Sequence, residues 1–184
     1  MSRKRIVIGI DPGKSGGAVA LDLEGNPIEW IAANHPQEGY TVKATGGALY
    51  IPSEMATWIA ELKDNYQILL AVTEKQQARP LEGRSSILKT GYGWGIWVGI
   101  LAALAVPYKV EPPGVWTRAV FGSMPKGTDR KARAITTARA QVPSLPLTWG
   151  RKTKAHDGLA DACCMALRAR REVVHTYSPL PTCR

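Results

Sequence analysis

Four carboxylates are placed unlike the other acidic residues of this sequence. Asp11 directly follows an apolar run, and Glu74 ends a second one. Asp157 and Asp161 are four residues apart in a largely apolar segment, so a helix would place both on one face. Like charges at this spacing repel each other, and the cost rises near a core unless a cation lies between them. The four positions therefore suggest a site for a divalent metal ion.

Carboxylate oxygens on rigid elements favour Mg²⁺ or Mn²⁺. Two such ions about 4 Å apart can hydrolyse a phosphodiester, because one activates the attacking water and the other stabilises the leaving oxygen. In this interpretation Asp11 bridges both ions. The other metal ligands are Glu74, Asp157 and Asp161. His156 is a further candidate, as a ligand or as a proton carrier.

Three of these acidic positions also have a simpler interpretation. Asp11 precedes Pro-Gly and suits a turn, and Glu74 suits a solvated strand end. Asp157 suits the first turn of a helix, where the macrodipole favours a negative charge. Taken singly, each simple interpretation competes well with the catalytic one, but the four positions together favour a metal site.

The elements that must position these residues alternate between strands and helices. An N-cap at Ser53 marks the start of the first helix. Periodicity and turn signals predict strands over 5–11, 16–23, 28–33, 67–73 and 108–111, and helices over 53–63, 85–106, 115–121, 129–142 and 155–171. This order predicts an α/β fold with a mixed central sheet. We expect one domain over 1–184, with a short basic N-terminus and a tail from about 173.

Three segments resemble the motifs of one nuclease family. Residues 8–17, Ile-Gly-Ile-Asp-Pro-Gly-Lys-Ser-Gly-Gly, are similar to the opening motif of RuvC-type Holliday junction resolvases. Residues 73–76 resemble their second acidic motif. Residues 154–162 resemble their C-terminal acidic helix, in the form carried by phage and other divergent members. The similarity keeps the order of the motifs and spans nearly the whole chain.

This resemblance implies an RNase H-like fold, with a mixed five-stranded central sheet flanked by helices. It implies a homodimer with two active sites, each nicking one of two opposed strands of a four-way junction with Mg²⁺ or Mn²⁺. Metal-binding roles fall to Asp11, Glu74, Asp157 and Asp161. A phage-type enzyme of this kind could also debranch replicating DNA.

The chain departs from the family pattern at two places. Bacterial members often space the last two acids by three, but Gly158 stands three residues before Asp161. The fourth ligand must then be Asp157 or His156. Bacterial members also often carry an aromatic residue just after the second acid, where residues 76–77 are Gln-Gln.

An excess of positive charge indicates a polyanionic partner. The chain has 24 Lys and Arg against 15 Asp and Glu, for a net charge of +9 and a pI of about 9.7. A basic domain of this size commonly binds nucleic acid. The candidate DNA contacts are Lys14, Lys75, Gln76, Gln77, Arg79, Arg84, Lys89, Lys126, Arg130, Lys131, Arg151, Lys152 and Lys154.

Residues 90–108 contain no charge and approach the length of a membrane span. Their four glycines and moderate apolarity favour a buried helix instead. The three cysteines lack zinc-site spacing, and the N-terminus lacks a signal pattern. We therefore expect a protein without a membrane partner, located in a bacterial or phage-infected host cytoplasm.

The same helix is the candidate dimer interface. Its glycines at 91, 95 and 99 are four apart and leave one side nearly bare. Its larger side chains supply more apolar surface than one sheet face requires, namely Trp94, Trp97, Ile100, Leu101 and Leu104. The alternative is a single core helix buried within one chain.

Two other functions compete with junction resolution. A flap or RNA:DNA hybrid nuclease would share the four carboxylates, but it would not need the dimer that paired nicks require. A non-catalytic DNA-binding module would explain the basic charge. Four clustered acids argue against that module, because carboxylates repel phosphate unless a metal ion is present.

Overall fold

The computed structural model describes residues 3–45, 47–77 and 83–177. Its strands are β1 (Arg5–Asp11), β2 (Gly17–Asp22), β3 (Pro27–Ala32), β4 (Thr41–Ala44), β5 (Gly47–Tyr50), β6 (Gln67–Glu74) and β7 (Tyr108–Glu111). Its helices are α1 (Pro52–Asn65), α2 (Arg84–Ala103), α3 (Pro113–Phe121), α4 (Arg130–Gln141) and α5 (Asp157–Tyr177). The predicted order of the main strands and helices is confirmed.

Five strands form the central sheet in the order β3-β2-β1-β6-β7. The first three strands are antiparallel neighbours, whereas β1, β6 and β7 run parallel to one another. This is the mixed five-stranded sheet flanked by helices that the sequence predicts. The sequence did not predict the small β4–β5 hairpin, which forms a separate two-stranded sheet.

Each face of the sheet has its own core, because successive side chains of a strand point to opposite faces. On one face, Val7 and Val72 lie in a core with Leu159 of α5. On the other face, Ile8 of β1 lies in a core with Trp97 of α2. Helix α1 joins the second core and α4 joins the first. The sheet is therefore a central layer between two helical layers.

Strand β1 and helix α5 touch backbone to backbone. A Cβ atom added at Gly9 would lie 2.1 Å from the carbonyl oxygen of Ala162. Only glycine permits this approach. Because Gly9 is two residues before Asp11 and Ala162 follows Asp161, the contact brings the two acidic segments together.

Several local boundaries differ from the predicted ones. Ser53 is not an N-cap, because α1 begins at Pro52 and the cap residue, Ile51, makes no side-chain hydrogen bond. Proline fits this first turn, where its missing N–H has no partner to lose. Helix α2 ends at Ala103, and Ala105 has a positive φ of 51° as the chain turns into β7. Helix α5 continues to Tyr177.

Helix α2 divides its apolar residues between the core and the surface. Trp97 and Leu101 are fully buried within this chain, so their predicted place in a dimer interface is wrong. Trp94, Ile100 and Leu104 are only partly buried. The glycines at 91, 95 and 99 face open space, whereas the one at 93 packs against Tyr50. No helix in the described ranges combines the length and the apolarity that crossing a bilayer requires.

Candidate metal centre

Two of the predicted metal ligands, Asp11 and Glu74, lie side by side at the carboxyl ends of the neighbouring strands β1 and β6. Ile10 pairs with Thr73 in the parallel β1–β6 ladder, so Asp11 and Glu74 end neighbouring strands. By the alternation of side chains, both carboxylates share the sheet face that α5 covers.

Hydrogen bonds orient both of these carboxylates. The backbone N–H of Gly13 donates to Asp11 Oδ1 at 3.1 Å. The indole N–H of Trp116 donates to Glu74 Oε2 at 2.8 Å. Sequence reasoning did not find the role of Trp116, because this residue is 42 positions from Glu74 and no local pattern connects them.

The first two turns of α5 supply the other two acids. A Cβ atom added at Gly158 would lie 2.0 Å from the carbonyl oxygen of Ser15, so glycine is needed where α5 meets the loop after β1. That contact places Asp157 beside the loop. Asp161, one turn further along α5, is next to the Gly9 contact described above.

The four carboxylates affect one another electrostatically. The pKa of Asp11 is raised to about 7, chiefly by burial and to a smaller extent by the negative charges of Glu74 and Asp157, against the lowering effect of the Gly13 hydrogen bond. The pKa of Asp161 is raised to about 8, chiefly by burial and then by the negative charges of Asp11, Glu74 and Asp157. The four predicted acids therefore lie near enough to one another to interact electrostatically.

A lysine from α4 neutralises part of this negative charge. Lys131 Nζ forms an ion pair with Asp157 Oδ2. Burial would raise the pKa of Asp157, but the Lys131 hydrogen bond and charge outweigh it and lower that pKa. Asp129 caps α4 by accepting from the backbone N–H of Lys131. The sequence predicts Lys131 and Arg130 as DNA contacts, and the structure places both near the carboxylates.

The donor chemistry of this cluster suits a hard cation. Asp161 Oδ1 is buried without a hydrogen-bond partner, which leaves a desolvated acceptor in the cluster. An all-oxygen set of this kind fits Mg²⁺ or Mn²⁺. In their present positions, no three His, Cys, Asp or Glu side chains of residues 3–45, 47–77 and 83–177 converge closely enough to ligate one ion.

The ring of His156 is held by the backbone of its own helix. Its Nδ1 accepts from the N–H of Leu159 at 2.9 Å, which caps α5. The nearby backbone of Ala33 acts on the ring in the direction that raises its pKa. Burial lowers the pKa of His156, so the ring is neutral at neutral pH. His156 therefore stabilises the N-terminal end of α5.

The hairpin β4–β5 and the residue before it brace the loop that follows Asp11. The hydroxyl of Tyr40 donates to the carbonyl oxygen of Gly13 at 3.1 Å. The hydroxyl of Tyr50 donates to the carbonyl oxygen of Pro12 at 3.2 Å. Both tyrosines are buried, and burial raises the pKa of each above its ordinary value, so they stay protonated donors.

The predicted DNA contacts fall into three groups. Around the carboxylates are Lys14, Arg130, Lys131, Arg151, Lys152 and Lys154. After β6 come Lys75, Gln76 and Gln77, and on α2 and the α3–α4 loop are Arg84, Lys89 and Lys126. Arg79 lies outside the described residues. The first group is therefore the one that lies beside the carboxylates.

Comparison with known proteins shows what this fold resembles. No family model and no curated protein sequence matches the chain. T. thermophilus RuvC in complex with Holliday junction substrate is similar at a TM-score of 0.60 and 15% identity, over 95% of this chain and 96% of that one. A second Thermus thermophilus RuvC structure gives a TM-score of 0.58 and 22% identity, over 95% and 99%.

The yeast mitochondrial Holliday junction resolvase Ydc2 is also similar, with a TM-score of 0.51 and 12% identity over 95% of this chain and 84% of that one. The predicted RNase H-like architecture and the structural resemblance to RuvC-type proteins are confirmed.

Proposed function

We propose that this chain is a metal-dependent endonuclease that resolves four-way DNA junctions by paired symmetric nicks. The observation that carries the proposal is the gathering of four acids from β1, β6 and α5 at one sheet edge, with basic residues beside them. The fold that holds them is similar to that of a RuvC protein bound to a Holliday junction.

The residues that would hold the metal are Asp11, Glu74, Asp157 and Asp161. Two bound Mg²⁺ or Mn²⁺ ions would supply an activated water and neutralise charge on the phosphate. Trp116 keeps the Glu74 carboxylate in one orientation. Lys131 offsets the charge of Asp157, and its ammonium group would be available to a phosphate if a bound metal ion neutralised that carboxylate instead.

Paired nicks need two sites facing one junction, and a two-fold dimer is the commonest way to supply them. Helix α2 is our candidate interface. Its open glycines at 91, 95 and 99 would let a second helix approach closely. Tyr92 and Leu88 on the same helix are 57% and 73% exposed, which leaves apolar surface for a partner.

A cleavage assay tests the proposed activity. The protein is incubated with a labelled four-way junction, a flap, an RNA:DNA hybrid and a linear duplex, in Mg²⁺, Mn²⁺ or EDTA. We expect symmetric nicks in the junction with either metal and none in EDTA. Preferential cutting of the flap or hybrid would contradict the junction specificity. Metal-independent binding without cleavage of any substrate would identify a non-catalytic module.

Cleavage by variants of Asp157 and His156 tests which of these two residues is the fourth metal ligand. We expect Asp157→Asn to abolish cleavage and His156→Ala to lower protein stability more than it lowers the cleavage rate of the folded fraction. Asp64→Asn is the matched control, since Asp64 is an exposed carboxylate on α1. Normal cleavage by Asp157→Asn together with an inactive, folded His156→Ala protein would assign the ligand to His156.

A further inference from the structure

A cavity of about 480 Å³ opens beside the candidate metal centre. The segment from 147 to 157 forms most of its wall, and Ser15 and Asn34 close the other side. Asp157 belongs both to this wall and to the carboxylate cluster, so the cavity and the cluster adjoin. Its volume lies within the range of small-ligand sites.

One wall of the cavity is a fixed aromatic ring. Trp149 stacks on Trp30 with ring centroids 6.0 Å apart and an interplanar angle of 21°. His35 and His156 hold the same indole at centroid distances of 4.8 and 4.9 Å. Three residues distant in sequence from one another or from Trp149 thus immobilise a partly exposed indole, which provides a flat apolar surface at little further entropic cost.

Three basic side chains also line the cavity. Arg151, Lys152 and Lys154 line the cavity and are exposed. Among the described residues, none of these three side chains forms an ion pair with an acid. The ammonium group of Lys152 lies 5.1 Å from the centre of the Trp149 ring. An exposed lysine can change rotamer readily, which would uncover that ring.

We propose that this cavity binds one unstacked nucleotide of the DNA strand that enters the carboxylate site, with its base against Trp149 and its phosphates at Arg151, Lys152 and Lys154. An aromatic surface flanked by cations is the combination that holds single-stranded nucleic acid. Nucleotides at a branch point are also the easiest to unstack. The inference rests on the proposed function, because it takes DNA to lie at the carboxylates.

Photo-crosslinking tests the position of the base. Four-way junctions carrying one 5-iodouracil at successive positions around the crossover are bound to the Asp11→Asn protein in Mg²⁺ and irradiated. Trypsin then releases peptide 140–151, in which Trp149 is the sole aromatic residue. We expect one or two iodouracil positions to attach to this peptide at Trp149. Binding of the junction without such a crosslink at any position would overturn the proposal.

Affinity measurements separate stacking from charge. Loss of one stacked base should weaken junction binding about tenfold or more in Trp149→Leu, while Trp149→Phe retains most of the affinity. Lys152→Met should weaken binding severalfold. Its matched control is Lys63→Met, since Lys63 is an exposed lysine at the opposite end of the sheet. Circular dichroism checks the fold of each variant, and equal binding by folded Lys152→Met and Lys63→Met proteins would contradict the phosphate contact.

Two further outcomes distinguish this inference from the proposed function. A protein that binds no four-way junction at all would overturn both. Thymidine monophosphate is titrated alone, with tryptophan fluorescence as the readout. If it binds at micromolar concentration while the junction leaves Trp149 uncrosslinked, the cavity is a free-nucleotide site and our inference is wrong.

Discussion

Replacing Asp161 with asparagine should stabilise the metal-free protein while it abolishes cleavage. Burial and the neighbouring acids hold the pKa of Asp161 at about 8, against 3.8 for an ordinary aspartate. The folded protein therefore keeps this proton at pH values where the unfolded chain has lost it. Because the unfolded state then binds fewer protons, the free energy of unfolding falls as pH rises from about 4 to about 8.

The size of this effect follows from the two pKa values of Asp161. One pKa unit corresponds to about 1.4 kcal/mol, so the difference at pH 7 would approach about 4 kcal/mol if Asp161 acted alone. Asp11 shares the same repulsion, and the site is partly open to water. We therefore expect Asp161→Asn to unfold with a free energy about 2 kcal/mol higher than the wild type at pH 7.5 in EDTA.

Urea unfolding followed by tryptophan fluorescence measures this difference. The gain from Asp161→Asn should shrink at pH 5, because the wild type loses stability progressively as pH rises above about 4 and has lost only a small part of it at pH 5. Millimolar Mg²⁺ should stabilise the wild type but not the variant, because only the wild type has the complete ligand set. Asp64→Asn, on the exposed face of α1, should unfold like the wild type at both pH values. A variant no more stable than wild type at pH 7.5 would refute the argument from desolvation and repulsion.

Four other predictions concern the site and the assembly. Asp11→Asn should lower cleavage at least a thousandfold in a junction assay while gel-shift affinity stays within a few-fold, since it removes a proposed metal ligand and no proposed phosphate contact. Trp116→Phe should lower the cleavage rate about tenfold without changing junction affinity, because Glu74 loses its only described hydrogen-bond donor; an unchanged rate would contradict that role. Junction affinity should fall with salt at a log–log slope of about −5 for six phosphate contacts, and a slope near zero would refute the basic interface. Light scattering should report twice the 20.0 kDa chain mass, and Gly95→Glu should return the protein to a monomer.

The sequence determined the strands and helices that carry the acids, because the signals are local. A β-branched run ending in Asp11 predicts β1, and the run ending in Glu74 predicts β6. The spacing of Asp157 and Asp161 places both on one side of α5. Alternation along strands and the 3.6-residue period of helices set the face of each residue without reference to the rest of the chain.

Packing between distant segments decided what surrounds those acids. Trp97 and Leu101 satisfy an apolar pattern that suits either a core or an interface, and only the assembled sheet shows that they fill the core. The sequence of the β4–β5 hairpin has no strong periodicity. Tyr50 at the end of β5 and Tyr40 just before β4 donate hydrogen bonds to the loop after Asp11, and these contacts form only in the folded protein. Short strands of this kind depend on tertiary contacts more than on propensity.

The residues that contact the acids could not be predicted from local sequence patterns either. The Trp116–Glu74 and Lys131–Asp157 contacts span 42 and 26 residues of sequence. Trp149 gains its rigid setting from Trp30 and His35, more than a hundred positions earlier in the chain. Local patterns report which residue types recur on one face, whereas these contacts exist only after the sheet and α5 have packed. The sequence by itself thus determined which acids are available for a metal site, and only the tertiary structure decided which groups orient them, neutralise them and form the cavity at their side.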